Sequence, residues 1–170
     1  MEKRNMTVSA IVAAIVLIGD QLSKHWAETW LRANGEYKIW DGVLHLRYVE
    51  NRGAAFGMMQ GGKWFFLAIT GIACAAMLYF LIKERKRLHF MMTFSLALLL
   101  SGAIGNLIDR VALGYVRDMI YVALIDFAVF NVADMAVTVG CCLLVLDLLF
   151  FKGKKYMEMM DKKPQTGENS

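Results

Sequence analysis

Four membrane-spanning helices, with a short stretch of strand between the first two, are the fold that the sequence predicts. Three observations predict it. The chain has 170 residues, of which 58% are hydrophobic, and a mean hydropathy of +0.44, more apolar than soluble domains at about 45–50% with glycine counted. Four apolar runs each approach the roughly 20 residues that a helix needs to cross a bilayer. The lysines and arginines sit in short clusters beside those runs, so the net charge of +4 reports topology, and nucleic acid is set aside as a partner.

The first run starts at Thr7 and continues through VSAIVAAIVLIG; a crossing helix must then extend to about Trp26, which places Asp20 and Lys24 in its last two turns. No small-residue cleavage pattern follows, so the segment is expected to remain as an anchor. Polarity rises from Glu28 to Lys63, and YKIWDGVLHLRYVENRGAAFG carries aromatic and β-branched residues around the turn formers Asp41-Gly42 and Arg52-Gly53. Short strands are expected at 37–40 and 43–50. Trp26, Trp30, Trp40 and Trp64 bracket this stretch, as indoles do at a membrane–water interface. The second span is Trp64 to Ile82, closed by KERKR, the third Phe90 to Ile108 and the fourth Val132 to Phe151. Residues 1–160 are read as one integral membrane domain and DKKPQTGENS at 161–170 as a disordered tail. Cys74, Cys141 and Cys142 fall inside apolar runs and read as small hydrophobes, not as a disulfide framework.

Positive charge sets the orientation. Lys3 and Arg4, the 83–87 loop, and Lys152, Lys154, Lys155, Lys162 and Lys163 form the dense clusters, which stay on the cytoplasmic side. Both termini are then cytoplasmic. Asp20, Asn51, Asp109, Asp118 and Asp134 converge on the outer face.

An ionisable group next to hydrocarbon costs roughly 2.5–3.5 kcal/mol even on a lenient insertion scale, which makes each a functional-site hypothesis. Asn131-Val132-Ala133-Asp134 opens the fourth helix and reads either as a plain N-cap or as one arm of a site. Asp118 reads either as an exposed loop acid or as the partner of Asp134. Two aspartates brought together in a desolvated site do not both ionise readily, so the pair shares a proton and acts as acid and base together. Asp134 meets the positive end of the helix dipole and is expected to be the carboxylate more often, with Asp118 the protonated partner; Arg117, next to Asp118, opposes that asymmetry. Asp109 reads as a structural charge at a helix end. Arg110 and Asn106, one turn apart, are placed to line one wall, with the guanidinium fork suited to a backbone carbonyl. Gly102 allows close approach of a backbone, by a substrate or by a neighbouring helix. Asp20 and Lys24 lie one turn apart and read as a mutual pair. Asp126 is read as a loop acid and Asp147 as a helix-end acid reaching headgroups near Lys152. His25, His45 and His89 lack metal-ligand spacing.

DQLSK at 20–24, NRGAAFG at 51–57, GAIGNLIDRVALGYVRD at 102–118 and FNVADMAVTVG at 130–140 resemble, in order and spacing, the motifs of bacterial lipoprotein signal peptidase (signal peptidase II). The resemblance covers about residues 7 to 151. It implies an aspartic endopeptidase of the bacterial cytoplasmic (inner) membrane, with its site towards the outer leaflet. Such an enzyme cleaves diacylglyceryl-modified prolipoproteins before the lipidated cysteine and is inhibited by globomycin-type compounds. Catalytic roles are implied for Asp118 and Asp134. Substrate-binding or supporting roles are implied for Asp20, Lys24, Asn51, Gly53, Gly102, Asn106, Arg110 and Asn131, with Asp109 mainly supporting. The resemblance also implies a small extracytoplasmic β cradle and a surface helix between spans one and two, membrane lipids as partners, and no metal or cofactor. Three positions depart from the family pattern: Arg117 where Val is common, Met135 where Ser is common, and no Pro in Phe127 to Phe130.

Two rivals use the same residues. A small proton-coupled transporter or channel would string its acids along a path through the spans, whereas here they cluster at one face apart from Asp147. A scaffold protein would tolerate loss of Asp118.

Overall fold

The computed structural model describes residues 2–53, 63–151 and 153. The Ala-Ala-Phe-Gly part of the 51–57 motif, the lysines of the 152–163 cluster and the 161–170 tail lie outside them.

Four helices are long and apolar enough to cross a membrane. α1 (Glu2–Trp26) runs without a break into a π-helical turn (Ala27–Leu31) and a final short turn, α2 (Arg32–Asn34). This 27–34 stretch is the helical part of the region between the first two spans among the described residues. Gly35 ends it with φ +80°, and its N–H closes on the Leu31 carbonyl at 2.9 Å; the left-handed backbone favours glycine there. The other spans are α3 (Lys63–Glu84), α4 (Phe90–Ala112) and α5 (Val132–Phe150). α4 is central and packs against α1, α3 and α5. In its most apolar stretch 56% of residues are buried inside the protein, against none in α3, whose packing on the core comes near its end, through Phe80 and Leu81. Gly102 sets the closeness of α4 and α5: a Cβ there would run into the Ala133 carbonyl oxygen and sit 2.8 Å from Val137 Cγ2. Small residues at such crossings let helices gain van der Waals contact where lipid removes the hydrophobic drive.

At one end of the bundle lies a three-stranded antiparallel sheet in the order β1-β2-β3. β1 (Tyr37–Trp40) and β2 (Leu44–Asn51) are the two expected strands, and they pair as a hairpin around Asp41 and Gly42. β3 (Val116–Val122) lies in what the sequence presents as a bare connection between spans three and four. Its first four residues are all buried, so it is covered on both faces and shows none of the period-two polarity that marks a half-exposed strand. β3 pairs with β2 with Val49 opposite Asp118 and Asn51 opposite Val116. Phe130 then bridges back to Ile120, their backbones exchanging hydrogen bonds of 2.8 and 3.0 Å, and this return aims the chain into α5. Met119 seals the sheet to the π-helical turn by packing on Ala27 and Leu31.

Asp147, expected at a helix end near headgroups, is instead fully buried at the other end of the bundle. It pairs with His89 Nε2 at 2.8 Å, because its helix face turns towards the N-terminus of α4. A buried carboxylate is retained only with such a partner.

Candidate active site

The start of α5 assembles the site. Asn131 is its N-cap: the side-chain oxygen accepts the Asp134 N–H at 3.0 Å, while Asp134 Oδ2 accepts the Asn131 N–H at 3.2 Å, a reciprocal capping box. The cap and the site are one arrangement, because the amide nitrogen of the same Asn131 donates to Asp118 Oδ1 at 2.6 Å. β2 supplies the other contact, Asn51 Nδ2 to Asp118 Oδ2 at 3.0 Å. α4 supplies Asn106, whose Nδ2 donates to Asp134 Oδ1 at 2.7 Å. Each oxygen of both carboxylates thus accepts one hydrogen bond, and strand pairing, cap and helix all converge on two acids.

Beneath them is a buried cation. Lys24 is fully enclosed and its ammonium donates to Asn106 Oδ1 and Asp20 Oδ2, both at 2.9 Å. Asp20 in turn accepts the Ala133 N–H at 2.9 Å with its other oxygen, tying α1 to the first turn of α5. The expected Asp20–Lys24 pair is therefore present. Gly105 is needed here: a Cβ would lie 2.6 Å from Asp20 Oδ2. Asn106 Oδ1 also accepts from Asn131 Nδ2 at 3.2 Å. With two donors on its oxygen, Asn106 has its amide orientation decided, and its nitrogen must face Asp134.

The remaining residues expected at the site divide. Arg110 reaches Gly53 O at 3.4 Å and its guanidinium lies over the Phe66 ring, 5.3 Å from the centroid. The Gly53 N–H donates to Asn51 Oδ1 at 3.0 Å, so this backbone corner orients Asn51. Gly102 contacts α5 as a packing residue. Asp109 is fully buried, and its partner is Arg117, through Nε at 3.2 Å, Nη2 at 2.8 Å and the backbone N–H at 3.0 Å.

Arg117 therefore does not act on Asp118 as its place in the sequence suggests. Successive strand residues point to opposite faces, and Arg117 turns away to Asp109, Glu28 at 2.9 Å and Gln21 at 3.2 Å. The Asp109 carboxylate raises its pKa. Asp118, 1% exposed, moves the opposite way from what a neighbouring guanidinium would cause. Burial, reinforced by the charge of Asp134, pushes its pKa up to about 7 against the lowering effects of Asn51, Asn131 and Lys24. Glu28 and Gln21 are members of this network that sequence reasoning missed, and Arg117 is one to which it gave the wrong partner. The available signal was the position of Glu28 one helical turn after Lys24.

Asp118 and Asp134 both line a cavity of about 620 Å³, with Asn51, Asn106 and Arg110 on its polar side and Val116, Phe127, Phe130, Met135, Val137 and Val139 on its apolar side. A second cavity of about 340 Å³ lies on the sheet side, bounded by Arg47, Glu50, Arg52, Tyr121 and Asp126. The two share Asn51, Asp118 and residues 127–129. Asp118 stands where an apolar space meets a polar one.

The model of a family described as Signal peptidase (SPase) II matches residues 12–150. The chain is similar to a lipoprotein signal peptidase of Streptococcus thermophilus (strain CNRZ 1066), 46% identical over 142 residues, which are 83% of this chain and 92% of that protein. It is similar to a lipoprotein signal peptidase of Clostridioides difficile (strain 630), 43% identical over 145 residues, 85% of this chain and 97% of that one. Among solved structures, a bacterial membrane enzyme determined by the in meso method at 2.3 Å resolution superimposes with a TM-score of 0.78 at 33% identity, covering 95% of each chain.

Proposed function

We propose, from the premise that this chain belongs to the signal peptidase II family, that it removes signal peptides from prolipoproteins with Asp118 and Asp134 as an aspartic dyad. The observation that carries the reading is the single Asn131 side chain bonded to Asp118 and to the backbone of Asp134, both acids opening on one cavity. A dyad that holds one proton performs the hydrolysis as follows. The ionised aspartate, assigned to Asp134, takes a proton from a water molecule as its oxygen attacks the scissile carbonyl carbon. The protonated one, assigned to Asp118, gives its proton to the carbonyl oxygen. Return of that proton to Asp118 and transfer of one from Asp134 to the departing amine break the C–N bond, leaving a carboxylic acid and a free amino terminus. The raised pKa of Asp118 supports its assignment as the proton holder at neutral pH.

Substrate fit supports the same reading. The apolar part of the large cavity suits a diacylglyceryl anchor, the two acyl chains contributing about 0.8 kcal/mol per buried CH₂ to partitioning. Arg110, on the cavity wall beside Gly53, is suited to hold a substrate carbonyl. Globomycin-type inhibitors would occupy the same space. The transporter reading has less support: among the described residues the buried acids Asp20, Asp109 and Asp118 gather at the site, whereas Asp147, paired with His89, and Glu84 lie at the other end of the bundle.

Purified protein in lipid with a diacylated prolipoprotein tests this. Cleavage before the modified cysteine, blocked by globomycin and far slower with the unmodified precursor, is expected; equal cleavage of the two precursors would overturn the lipid requirement. Activity should be bell-shaped in pH, because the dyad works with one proton. It rises as the first proton leaves and falls as the second does. With Asp118 at about 7, the alkaline fall of kcat/KM should begin near neutrality, the two limbs belonging to the pair. A rate flat from pH 3 to 9 would argue against a coupled dyad.

The positive clusters support cytoplasmic termini and a site at the outer leaflet. Cysteine labelling should reach position 47, on the sheet, from outside the cell and position 85 only after permeabilisation. Labelling of position 85 in intact cells would reverse the orientation.

A further inference from the structure

We propose that Arg117, braced by Glu28, is a positioning residue for the dyad: by occupying both oxygens of Asp109 it leaves the Lys24 ammonium on Asn106, which holds Asp134. The inference rests on the dyad reading above. Residue 117 directs three N–H groups at the Asp109 carboxylate, at 2.8, 3.0 and 3.2 Å. Lys24 stands 3.7 Å from the same carboxylate, beyond hydrogen-bond range, while it is 2.9 Å from Asn106 Oδ1. The remaining reach of the guanidinium is taken by Glu28 at 2.9 Å and Gln21 at 3.2 Å, so its planar fork has a single orientation.

Removing the guanidinium leaves a fully buried carboxylate at 109 short of charge, a state proteins do not leave uncompensated. The cation at hand is Lys24. An ammonium drawn towards Asp109 loosens from Asn106 Oδ1, which keeps only the 3.2 Å contact from Asn131. The Asn106 amide is then free to turn over, and its oxygen, in place of its nitrogen, would face Asp134. Arg117 touches no reacting atom; it acts through Asp109, Lys24 and Asn106.

The test uses the full chain in detergent or lipid with a diacylated prolipoprotein, comparing Arg117→Met, Arg117→Lys and Glu28→Gln with Asp118→Asn and Asp134→Asn. Arg117→Met should lower kcat per folded molecule about 10- to 100-fold, the scale of a misplaced catalytic group, with KM nearly unchanged. Arg117→Lys restores the charge without the fork and should recover part of that loss. Glu28→Gln should lose less, and adding it to Arg117→Met should cost little more. A merely structural residue would reduce folded yield while the folded fraction kept its kcat. Wild-type kcat in Arg117→Met, or a loss confined to KM, would overturn the inference. Where Arg117→Met fails to accumulate, the other two decide, and wild-type kcat in both Arg117→Lys and Glu28→Gln overturns it. Active Asp118→Asn or Asp134→Asn protein would sink the dyad reading itself. Inactive aspartate variants beside a normal Arg117→Met would sink only this one.

Discussion

Asp118→Asn and Asp134→Asn should each reduce turnover of a diacylated prolipoprotein by about 10²–10⁴-fold or more, the scale of a lost general acid or base, while the protein still folds and inserts. Folding should survive for a specific reason at each position. Asp118 with a pKa of about 7 is uncharged in about half of the molecules at neutral pH, so the fold accommodates a neutral group there, although an amide nitrogen in place of one oxygen faces the Asn51 or the Asn131 donor. At 134 an amide oxygen keeps one of the two accepted hydrogen bonds, and its nitrogen faces a donor, a loss of about 1–3 kcal/mol. The double variant should be scarcely worse than either single one, as for residues that act as a unit. Asp109→Asn should differ in kind. It leaves the Arg117 guanidinium with Glu28 as its remaining carboxylate and without the buried one that takes three of its residue's N–H groups, so thermal stability and yield should fall first. Asp126→Asn should stay near wild type: Asp126 is exposed, accepts the Tyr121 hydroxyl at 2.6 Å, and its φ of +48° suits asparagine as well as aspartate. Cleavage measured at matched folded protein decides. Full activity in either Asp118→Asn or Asp134→Asn, or abolition by Asp126→Asn alone, would mean that the dyad is elsewhere.

The sequence made some of this site visible and hid the rest for physical reasons. Apolar runs of span length need no tertiary information, so the four helices are readable directly. The Asp20–Lys24 pair and the Asn106–Arg110 wall follow from one turn of α-helix, a local rule. The first hairpin announces itself through Asp41-Gly42. β3 does not, because a strand buried on both faces loses the alternation by which strands are recognised. That omission carries the error at Arg117 with it: a loop residue at 117 is free to reach its neighbour Asp118, whereas the pleat of a strand forbids it. Asp147 fails in the same way. Its partner His89 lies 58 residues away, and no local period connects them. What the sequence hides, then, are contacts set by how elements meet, and those contacts supply the buried charges around Lys24.

The second large effect should come from a residue that carries no charge. Asn131→Ala is expected to cut kcat by about 10²–10³-fold, comparable to deleting a donor that holds a reacting oxygen, and to cost about 1 kcal/mol of stability through the lost cap. The argument is one of counting. The Asn131 amide nitrogen donates to Asp118 Oδ1 at 2.6 Å and to Asn106 Oδ1 at 3.2 Å, while its oxygen accepts the Asp134 N–H at 3.0 Å. Alanine removes all three, so each acid loses a link to the other and Asn106 loses one of the two donors that orient it. The cap alone predicts a different pattern, since serine caps a helix about as well as asparagine but has too short a side chain, with a single hydroxyl proton, to make the remaining contacts. Asn131→Ser should therefore recover thermal stability and not activity. Melting temperature and single-turnover cleavage, measured on wild type, Asn131→Ala and Asn131→Ser, separate the two functions. If serine restores both together, Asn131 is a cap and nothing more, and the two aspartates are not held as a pair by it.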